Sequence, residues 1–417
     1  MTDENALNVW CNTSLAGRIE CNSAGIISFR YDIDWILNGF PLSQQLPLKN
    51  TEYTAEEGMA HKFFVNLLPE ADARMHLIRD LKIANSDFEL LKALGGECAG
   101  AFSLLQIDQK PNNKSSYKKL SNAELTKILE RKGQVFSLTS ANDRPRLSLA
   151  GAQDKCPLFF DEHNYYLPKE AAPSSHILKF EIAGYKNIPL FEYYMTKLAE
   201  SVGLPVVNIE LYQNNRDHYL VIKRYDRVIK NNQLIERLHQ EDFCQALGVS
   251  YAKKYEQSGG PSFKDCYNLT REITISPISA LENLLRWQIY NVLAGNSDGH
   301  AKNLAILYNE SNQATLAPFY DLVCTRAIER IDNKLAMSVG GEFNPSTVTL
   351  LHWGLLANDC DISYQYLKST LKSMAEALLE NLPTTLKEFE TKFGPCPALQ
   401  RMQMIVIKQC NKLLKQF

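Results

Sequence analysis

No run of apolar residues in this 417-residue chain approaches the roughly eighteen that a helical membrane span requires, which excludes an integral helical membrane protein. The ten cysteines, at 11, 21, 98, 156, 244, 266, 324, 360, 396 and 410, form no Cys-x-x-Cys pair and no Cys/His cluster at zinc-ligand spacing. A zinc module is thereby excluded, and the thiols are expected to stay reduced. Net charge is also lacking: 45 Lys and Arg against 47 Asp and Glu leave −2, with no chain-wide attraction to nucleic acid or anionic lipid. Internal repeats and low-complexity tracts are absent too. The start, Met1-Thr-Asp-Glu-Asn, is acidic and no apolar stretch follows it, so no secretory signal and a cytoplasmic location are expected.

What is present is ordinary globular composition, 45% hydrophobic and 22% charged. At about 150 residues per domain the length suggests two or three domains, or one large unit with an attached lobe. Residues 5–50 alternate like short strands, with Leu7, Val9 and Cys11, then Ile27, Phe29 and Tyr31. From residue 55 to about 94 the period becomes helical, and Gly95-Gly96 stops it. Residues 108–119 are polar, carry Pro and Lys, and predict a linker or exposed loop. A short helix at 122–131 and strand-like 135–138 follow. Further β runs are expected at 158–160, 165–167, 176–180, 208–212 and 219–224, interrupted by a helix at 190–202. From Gln240 the pattern is mainly helical, ending in amphipathic stretches such as Leu367, Leu371, Met374 and Leu378. The domain scheme that results is 1–108, a linker with a short helix at 109–135, a β-rich part at 136–238, and a helical lobe at 239–417.

The most informative stretch is 287–306, WQIYNVLAGNSDGHAKNLAI, an apolar helical run that breaks at Gly295 and resumes as an apolar strand. Asp298 and Asn303 stand five apart, the spacing of the aspartate and asparagine in a protein-kinase catalytic loop. An Asx-rich turn with an exposed lysine is the alternative reading of these letters. The next segment predicts a hairpin, 304–307 and 314–319 around a turn at 309–313, whose far strand returns Asp321 towards the Asp298 loop. Carboxylate and amide oxygens suit Mg²⁺.

Upstream, Lys179 sits among apolar residues in HILKF, where it either snorkels at a sheet edge or points into a cleft to pair phosphate oxygens. Glu192, near the start of the following helix, is either its counter-ion, as in the strand-lysine and helix-glutamate pair of kinases, or a solvated helix-start glutamate. The small-residue turn from Leu147 to Lys155, LSLAGAQDK, would let backbone amides approach phosphates, although it matches neither standard glycine-rich pattern.

In order and spacing, SLAGAQDK, HILKF, LVIKRYDR, RLHQEDFCQALGVSYAKKYEQSGGP, NSDGHAKN, LAPFYDLV and LAMSVGG resemble the HipA family of bacterial serine/threonine protein kinases, toxins of toxin–antitoxin modules. PLSQQLPL, FFVNLLPE and GGECAGAFSLL resemble that family's N-terminal lobe, so the likeness covers nearly the whole chain. The resemblance implies an α+β, two-lobed protein-kinase-like fold with an N-terminal β/α subdomain and a mainly helical C-terminal lobe. It implies ATP and Mg²⁺ as cofactors, Asp298 as the catalytic base, and Asn303 and Asp321 as metal ligands. Ala150, Gly151, Ala152, Gln153, Asp154 and Lys155 would form the phosphate loop, and Lys179 would be the ATP lysine with Glu192 as counter-ion. Lys223, Arg224 and Tyr225 would be the adenine hinge, while His300, Lys302 and Tyr320 would line the nucleotide. Ser148 stands where the family carries an autophosphorylated serine.

The implied partners are a HipB-like helix-turn-helix antitoxin, with DNA reached mainly through it, and a protein substrate of the aminoacyl-tRNA synthetase class, glutamyl-tRNA synthetase included. Asp154, Cys156 and Lys223 depart from the family's usual residues, but no catalytic carboxylate is missing. The alternative is a non-catalytic or weakly catalytic co-repressor that acts mainly by binding a DNA-bound antitoxin. Lys408, Lys412 and Lys415 read either as a solvated helix face or as phosphate contacts.

Overall fold

The computed structural model describes residues 3–111, 116–133, 150–151, 153–169, 171–182, 184–214, 217–230 and 235–417. The expected strand at 135–138, together with Ser148 and Ala152, lies outside the described residues. In chain order the elements are β1 (Ala6–Cys11), β2 (Ser14–Cys21), β3 (Ile27–Tyr31), α1 (Ile33–Asn38), α2 (Met59–Val65), α3 (Ala71–Leu81), α4 (Asp87–Leu94), β4 (Phe102–Leu105), β5 (Tyr117–Lys119) and α5 (Asn122–Glu130). They continue with β6 (Lys155–Phe160), β7 (Tyr165–Pro168), β8 (His176–Lys179), α6 (Ile188–Ser201), β9 (Ile209–Asn214), β10 (Asp217–Lys223), β11 (Arg227–Ile229), β12 (Ile235–Arg237), β13 (Gln240–Asp242) and α7 (Phe243–Ala246). Last come α8 (Phe263–Ile273), α9 (Pro277–Ala294), β14 (Ala305–Tyr308), β15 (Ala314–Leu316), α10 (Leu350–Asp359), α11 (Tyr364–Phe393) and α12 (Ala398–Leu414). No helix among the described residues is long and apolar enough to cross a membrane.

Two compact units result. The first comprises Met1–Ile182, Tyr212–Tyr251 and Leu307–Gln313. It holds a sheet ordered β3-β2-β1-β4, and most of a second ordered β5-β7-β6-β8-β10-β9. Inward-facing residues of both sheets, among them Leu7, Phe29, Leu104, Leu158, Leu178 and Val221, join Phe64 of α2 in one hydrophobic core. The polar segment near 108 thus separates two sheets but not two cores. One part of that segment departs from the linker expectation, since Tyr117–Lys119 is the edge strand β5, paired antiparallel with β7. A lysine-bearing edge strand exposes its polar side chains and lacks the alternation that betrays a central strand.

A buried ionic cluster stitches this unit together. Glu97, fully buried, accepts hydrogen bonds from Arg224 (2.9 Å), Arg227 (3.0 Å), Arg237 (2.7 Å) and the Ser174 hydroxyl (2.8 Å). Asp226 adds a second carboxylate, bonded to Arg224 (2.7 Å), Arg227 (2.8 Å) and the Gly100 amide (2.8 Å). Burial alone would raise the Glu97 carboxyl, but the three guanidiniums overcome it and hold that group far below the usual carboxylate range.

The second unit comprises Ala183–Leu211, Ala252–Ile306 and Ala314–Phe417. It is built around α9, whose residues from Trp287 to Ala294 are all buried, the mark of a helix packed on every side. The expected amphipathic face lies on α11, where Leu367, Leu371, Met374 and Leu378 are buried. All ten cysteines are free, and burial pushes the Cys11, Cys156, Cys324, Cys360 and Cys410 thiols up to about 12, which leaves them inert.

Replacing Glu97 by Gln leaves three buried guanidiniums short of a charge, and is expected to cost about 3–5 kcal/mol in denaturant unfolding, whereas breaking the surface ion pair of Lys118 with Glu124 (2.9 Å) by Lys118→Ala should cost under about 1 kcal/mol. Because the folded pKa of Glu97 is depressed, its contribution is complete above the unfolded value of about 4.3 and is lost as pH falls from there through the folded one. An acid-unfolding midpoint unchanged in Glu97→Gln would contradict this.

Candidate active site

In the second unit the loop begins where α9 ends. Gly295, at φ 75°, donates its N–H to Asn291 O and turns the chain out of the helix. Asn296 then ties the loop to the helix, its N–H bonded to Asn291 O (2.9 Å) and its amide to Asn291 Oδ1 (3.0 Å). Asn296 Oδ1 also accepts the Asp298 N–H (3.1 Å). Gly299 passes so close to the helix that a Cβ there would stand 2.6 Å from Asn291 Nδ2. Only glycine fits this approach.

The Asp298 main chain is held from the other side as well. Its carbonyl accepts the His300 N–H (2.9 Å) and the Asn303 Nδ2–H (2.9 Å), which closes the five-residue interval into one turn. The Asp298 side chain stays half exposed, while the His300 side chain beside it is buried. Asp298 Oδ1 accepts a hydrogen bond from the Tyr255 hydroxyl (2.7 Å) and lies 3.9 Å from His300 Nε2. Tyr255 also meets the His300 ring edge to face, with centroids 5.2 Å apart. Lys302 is buried, against the alternative of an exposed turn lysine, and its carbonyl accepts the Tyr320 hydroxyl (2.8 Å). Asp298, His300, Lys302, Asn303 and Tyr320 are therefore drawn together.

Asp321 follows Tyr320 in the left-handed region, at φ 55°. A non-glycine residue there carries backbone strain of the kind that clusters at functional sites. Asn303 directs its N–H end to Asp298, so its oxygen is the end that could accept a cation. One carboxylate and one amide oxygen fit a cation that takes its remaining ligands from phosphates and water. Among the described residues no group of three or more His, Cys, Asp or Glu could hold a metal by itself.

In the first unit, Lys179 lies on β8, an interior strand between β6 and β10, and is buried. Edge snorkelling is thereby excluded. Its register partners are Lys155 on β6 and Leu220 on β10. The loop before β6 is braced at several points. Gly151 O accepts the Glu70 N–H (3.0 Å), the Lys155 ammonium donates to Ala150 O (2.7 Å), Gln153 donates to Phe180 O (2.5 Å), and Asp154 meets His76 Nδ1 (3.2 Å). Glu192 lies in the second unit on α6 and is 1% exposed, which excludes the solvated helix-start reading.

At Arg224 the guanidinium is locked into the Glu97–Asp226 cluster and the N–H donates to Ser175 O (3.0 Å), so a hinge contact at this residue would fall to its carbonyl. Lys223 is exposed at the end of β10, and the Tyr225 hydroxyl donates to Gln240. Near the chain end Lys408 and Lys415 are exposed, while Lys412 donates to the Ser346 and Val348 carbonyls. Sequence reasoning missed Tyr255. It lies 43 positions before Asp298, and no spacing rule connects the two.

A buried helix that ends in an Asp-x-x-x-x-Asn turn, followed by a hairpin and a strained aspartate, is the catalytic-lobe arrangement of a protein kinase, and comparison with known proteins agrees. A family model described as the HipA N-terminal domain matches residues 7–105, and one described as the HipA-like C-terminal domain matches residues 147–383. The serine/threonine-protein kinase toxin HipA of Shewanella oneidensis is 31% identical over 339 residues, 78% of this chain and 76% of its own. A Sinorhizobium fredii protein whose name places it among the kinases is 33% identical over 390 residues, 92% of either chain. A solved structure of Shewanella oneidensis HipA with HipB and its operator DNA superposes with a TM-score of 0.83 at 26% identity, covering 98% of this chain and 97% of that one. The class is a serine/threonine protein kinase that uses ATP. Within it, the chain belongs to the HipA family of toxin kinases.

Tyr255→Phe removes the O–H that stabilises the Asp298 carboxylate. Hydrogen bonds to charged groups are worth about 1.5–3 kcal/mol, so phosphoryl transfer is expected to fall about ten- to a hundredfold with ATP binding unchanged. Steady-state kcat and KM for ATP in the two proteins check this, and an unchanged kcat would separate Tyr255 from the reaction.

Proposed function

We propose that Asp298 accepts the proton of a serine or threonine hydroxyl on a protein substrate as the γ-phosphoryl of ATP moves to that oxygen. The observation that carries this reading is the half-exposed Asp298 carboxylate on a main chain pinned by Asn291, Asn296 and Asn303. Such fixation supplies position without reorganisation at the moment of transfer. Asn303 and Asp321 would hold Mg²⁺, which when bound neutralises charge on the phosphates. Lys179, buried on an interior strand, pairs phosphate oxygens with Glu192 as its counter-ion, and backbone amides of Ala150–Lys155 cradle them. Lys223 and Tyr225 belong to the adenine hinge, and His300, Lys302 and Tyr320 line the nucleotide. In this scheme residues 1–108 form an accessory lobe, 109–135 a connection, 136–238 the nucleotide part and 239–417 the catalytic lobe.

The substrate class is an aminoacyl-tRNA synthetase, glutamyl-tRNA synthetase among them, whose phosphorylation arrests translation in the cytoplasm. The partner is a HipB-like helix-turn-helix antitoxin through which the chain reaches DNA, a reading supported by the Shewanella complex of HipA, HipB and operator DNA. That complex also favours a second role as co-repressor, compatible with the first. Ser148 is proposed as an inhibitory autophosphorylation site. A phosphate there brings roughly −1.5 to −2 of charge beside a loop suited to anions and competes with ATP for it.

Asp298→Asn is expected to abolish transfer of label from ATP while ATP affinity stays within about tenfold, because the amide fills the same volume but cannot take a proton. Near-normal incorporation would refute the assignment. Lys179→Ala and Asp321→Ala should each reduce the ATP-induced rise in melting temperature, the latter only with Mg²⁺ present, and an equal rise in all three proteins would move the nucleotide site elsewhere. Peptide mass analysis after incubation with Mg²⁺ and ATP should find phosphate on Ser148 in wild type and not in Asp298→Asn. Tight ATP binding by the phosphorylated form would contradict the switch.

A further inference from the structure

The segment after Asp321 is fastened to the start of the Asp298 loop. Thr325 Oγ1 accepts the Ser297 N–H (2.7 Å), the Arg326 N–H donates to Gly295 O (3.1 Å), and the Ser297 hydroxyl donates to Asn333 O (2.9 Å). Beside these bonds lies a cavity of about 460 Å³ whose lining includes Arg326, Asp332, Asn333, Lys334, Asn344 and Ser346. Its volume is that of a small-ligand pocket, but its walls are rich in donors.

The charges there are not balanced. Arg326 Nη1 is buried and has no hydrogen-bond partner among the described residues, while Nη2 reaches only the Ser346 hydroxyl (3.2 Å). Burial holds the Arg326 guanidinium below its ordinary value, with no carboxylate to offset it. Lys412, which donates to the Ser346 and Val348 carbonyls, is pushed down by burial and then by Arg326, against the smaller pull of Glu342. Among the lining residues Asp332 is the one acid. It is exposed, and its Oδ1 is taken by the Lys334 N–H (3.0 Å). A buried guanidinium N–H without an acceptor is costly, and the group that completes it best is a planar or tetrahedral oxyanion.

We propose that this cavity is an oxyanion site of the phosphate-monoester class, with Arg326 as its principal donor and Lys334, Asn333, Asn344 and Ser346 around it. Occupancy would join residues 326–346 more firmly to the Asp298 loop through Ser297 and Gly295, so that the bound anion stabilises the loop that carries Asp298. Free phosphate and a phosphorylated side chain share this chemistry. None of its lining residues is among the nucleotide contacts assigned above.

The test is thermal denaturation of the full chain titrated with inorganic phosphate at constant ionic strength, with a non-hydrolysable ATP analogue saturating throughout so that the nucleotide site is filled. Wild type should show a saturable rise in melting temperature. Arg326→Gln should weaken the midpoint about tenfold and Lys334→Gln about threefold, in line with a lost charge-assisted bond and a lost exposed charge. Lys334 is exposed, so its variant reports even where Arg326→Gln fails to fold. A parallel titration with blocked phosphoserine separates the sources. Tighter binding of phosphoserine assigns the site to a phosphorylated side chain, and tighter binding of inorganic phosphate to the free ion. No saturable effect of either probe, or equal midpoints in wild type and both variants, would overturn the proposal.

Discussion

One buried charge organises the first unit. Glu97 lies just after α4, yet its carboxylate gathers Arg224 and Arg227 from the end of β10 and the start of β11, Arg237 from β12, and Ser174 from the approach to β8. Three guanidiniums around two carboxylates leave a positive excess, offset by the backbone carbonyls Cys98 O and Gly100 O, which take further N–H groups of Arg224 and Arg227, while Arg227 Nε has no acceptor among the described residues. A charge set of this kind does little for net stability compared with an apolar core, but it admits one register and penalises every other. That register fixes where Lys179 stands on its sheet, and where the chain leaves β10.

The second unit uses backbone fixation for a similar end. The Asp298 loop is held by side chains on three sides: Asn291 and Asn296 on the helix side, Asn303 on the far side, Tyr255 on the carboxylate itself. Asparagine suits the task because one side chain donates and accepts at once, and so imitates a peptide group where the helix has run out. The buried α9 supplies a rigid base, and the loop extends its order by one turn to a half-exposed carboxylate. Phosphoryl transfer asks the protein mainly for position and charge, and this construction supplies position.

Much of this was legible in the sequence, for identifiable reasons. The runs that form β1 and β3 were readable because Leu7, Val9 and Cys11, and then Ile27, Phe29 and Tyr31, recur at every second position and are buried, and α11 announced its buried stripe by spacing alone. The Asp298–Asn303 interval was readable because a single turn contains it. Edge strand β5 was hidden by its lysines, and the sharing of one core across the polar segment near 108 could not be read from composition, which knows nothing of long-range contact. The resemblance placed Arg224 in an adenine hinge, and its buried ionic role carried no local signal. Only the approach of Glu97, 127 positions away, gives it a structural task. Tyr255 was illegible for the same reason. Its partner is distant in sequence, and a tyrosine in a polar stretch carries no periodic signal.

The central claim is that the chain moves the γ-phosphoryl of ATP to a protein hydroxyl. ATP labelled at the α- or the γ-phosphorus, in separate reactions with wild-type protein, Mg²⁺ and a desalted bacterial extract, tests it most directly through phosphoamino-acid analysis of the labelled protein. The account predicts γ label on serine or threonine and no α label on protein. Transfer of α label to protein, or γ label recovered only as free phosphate, would contradict it.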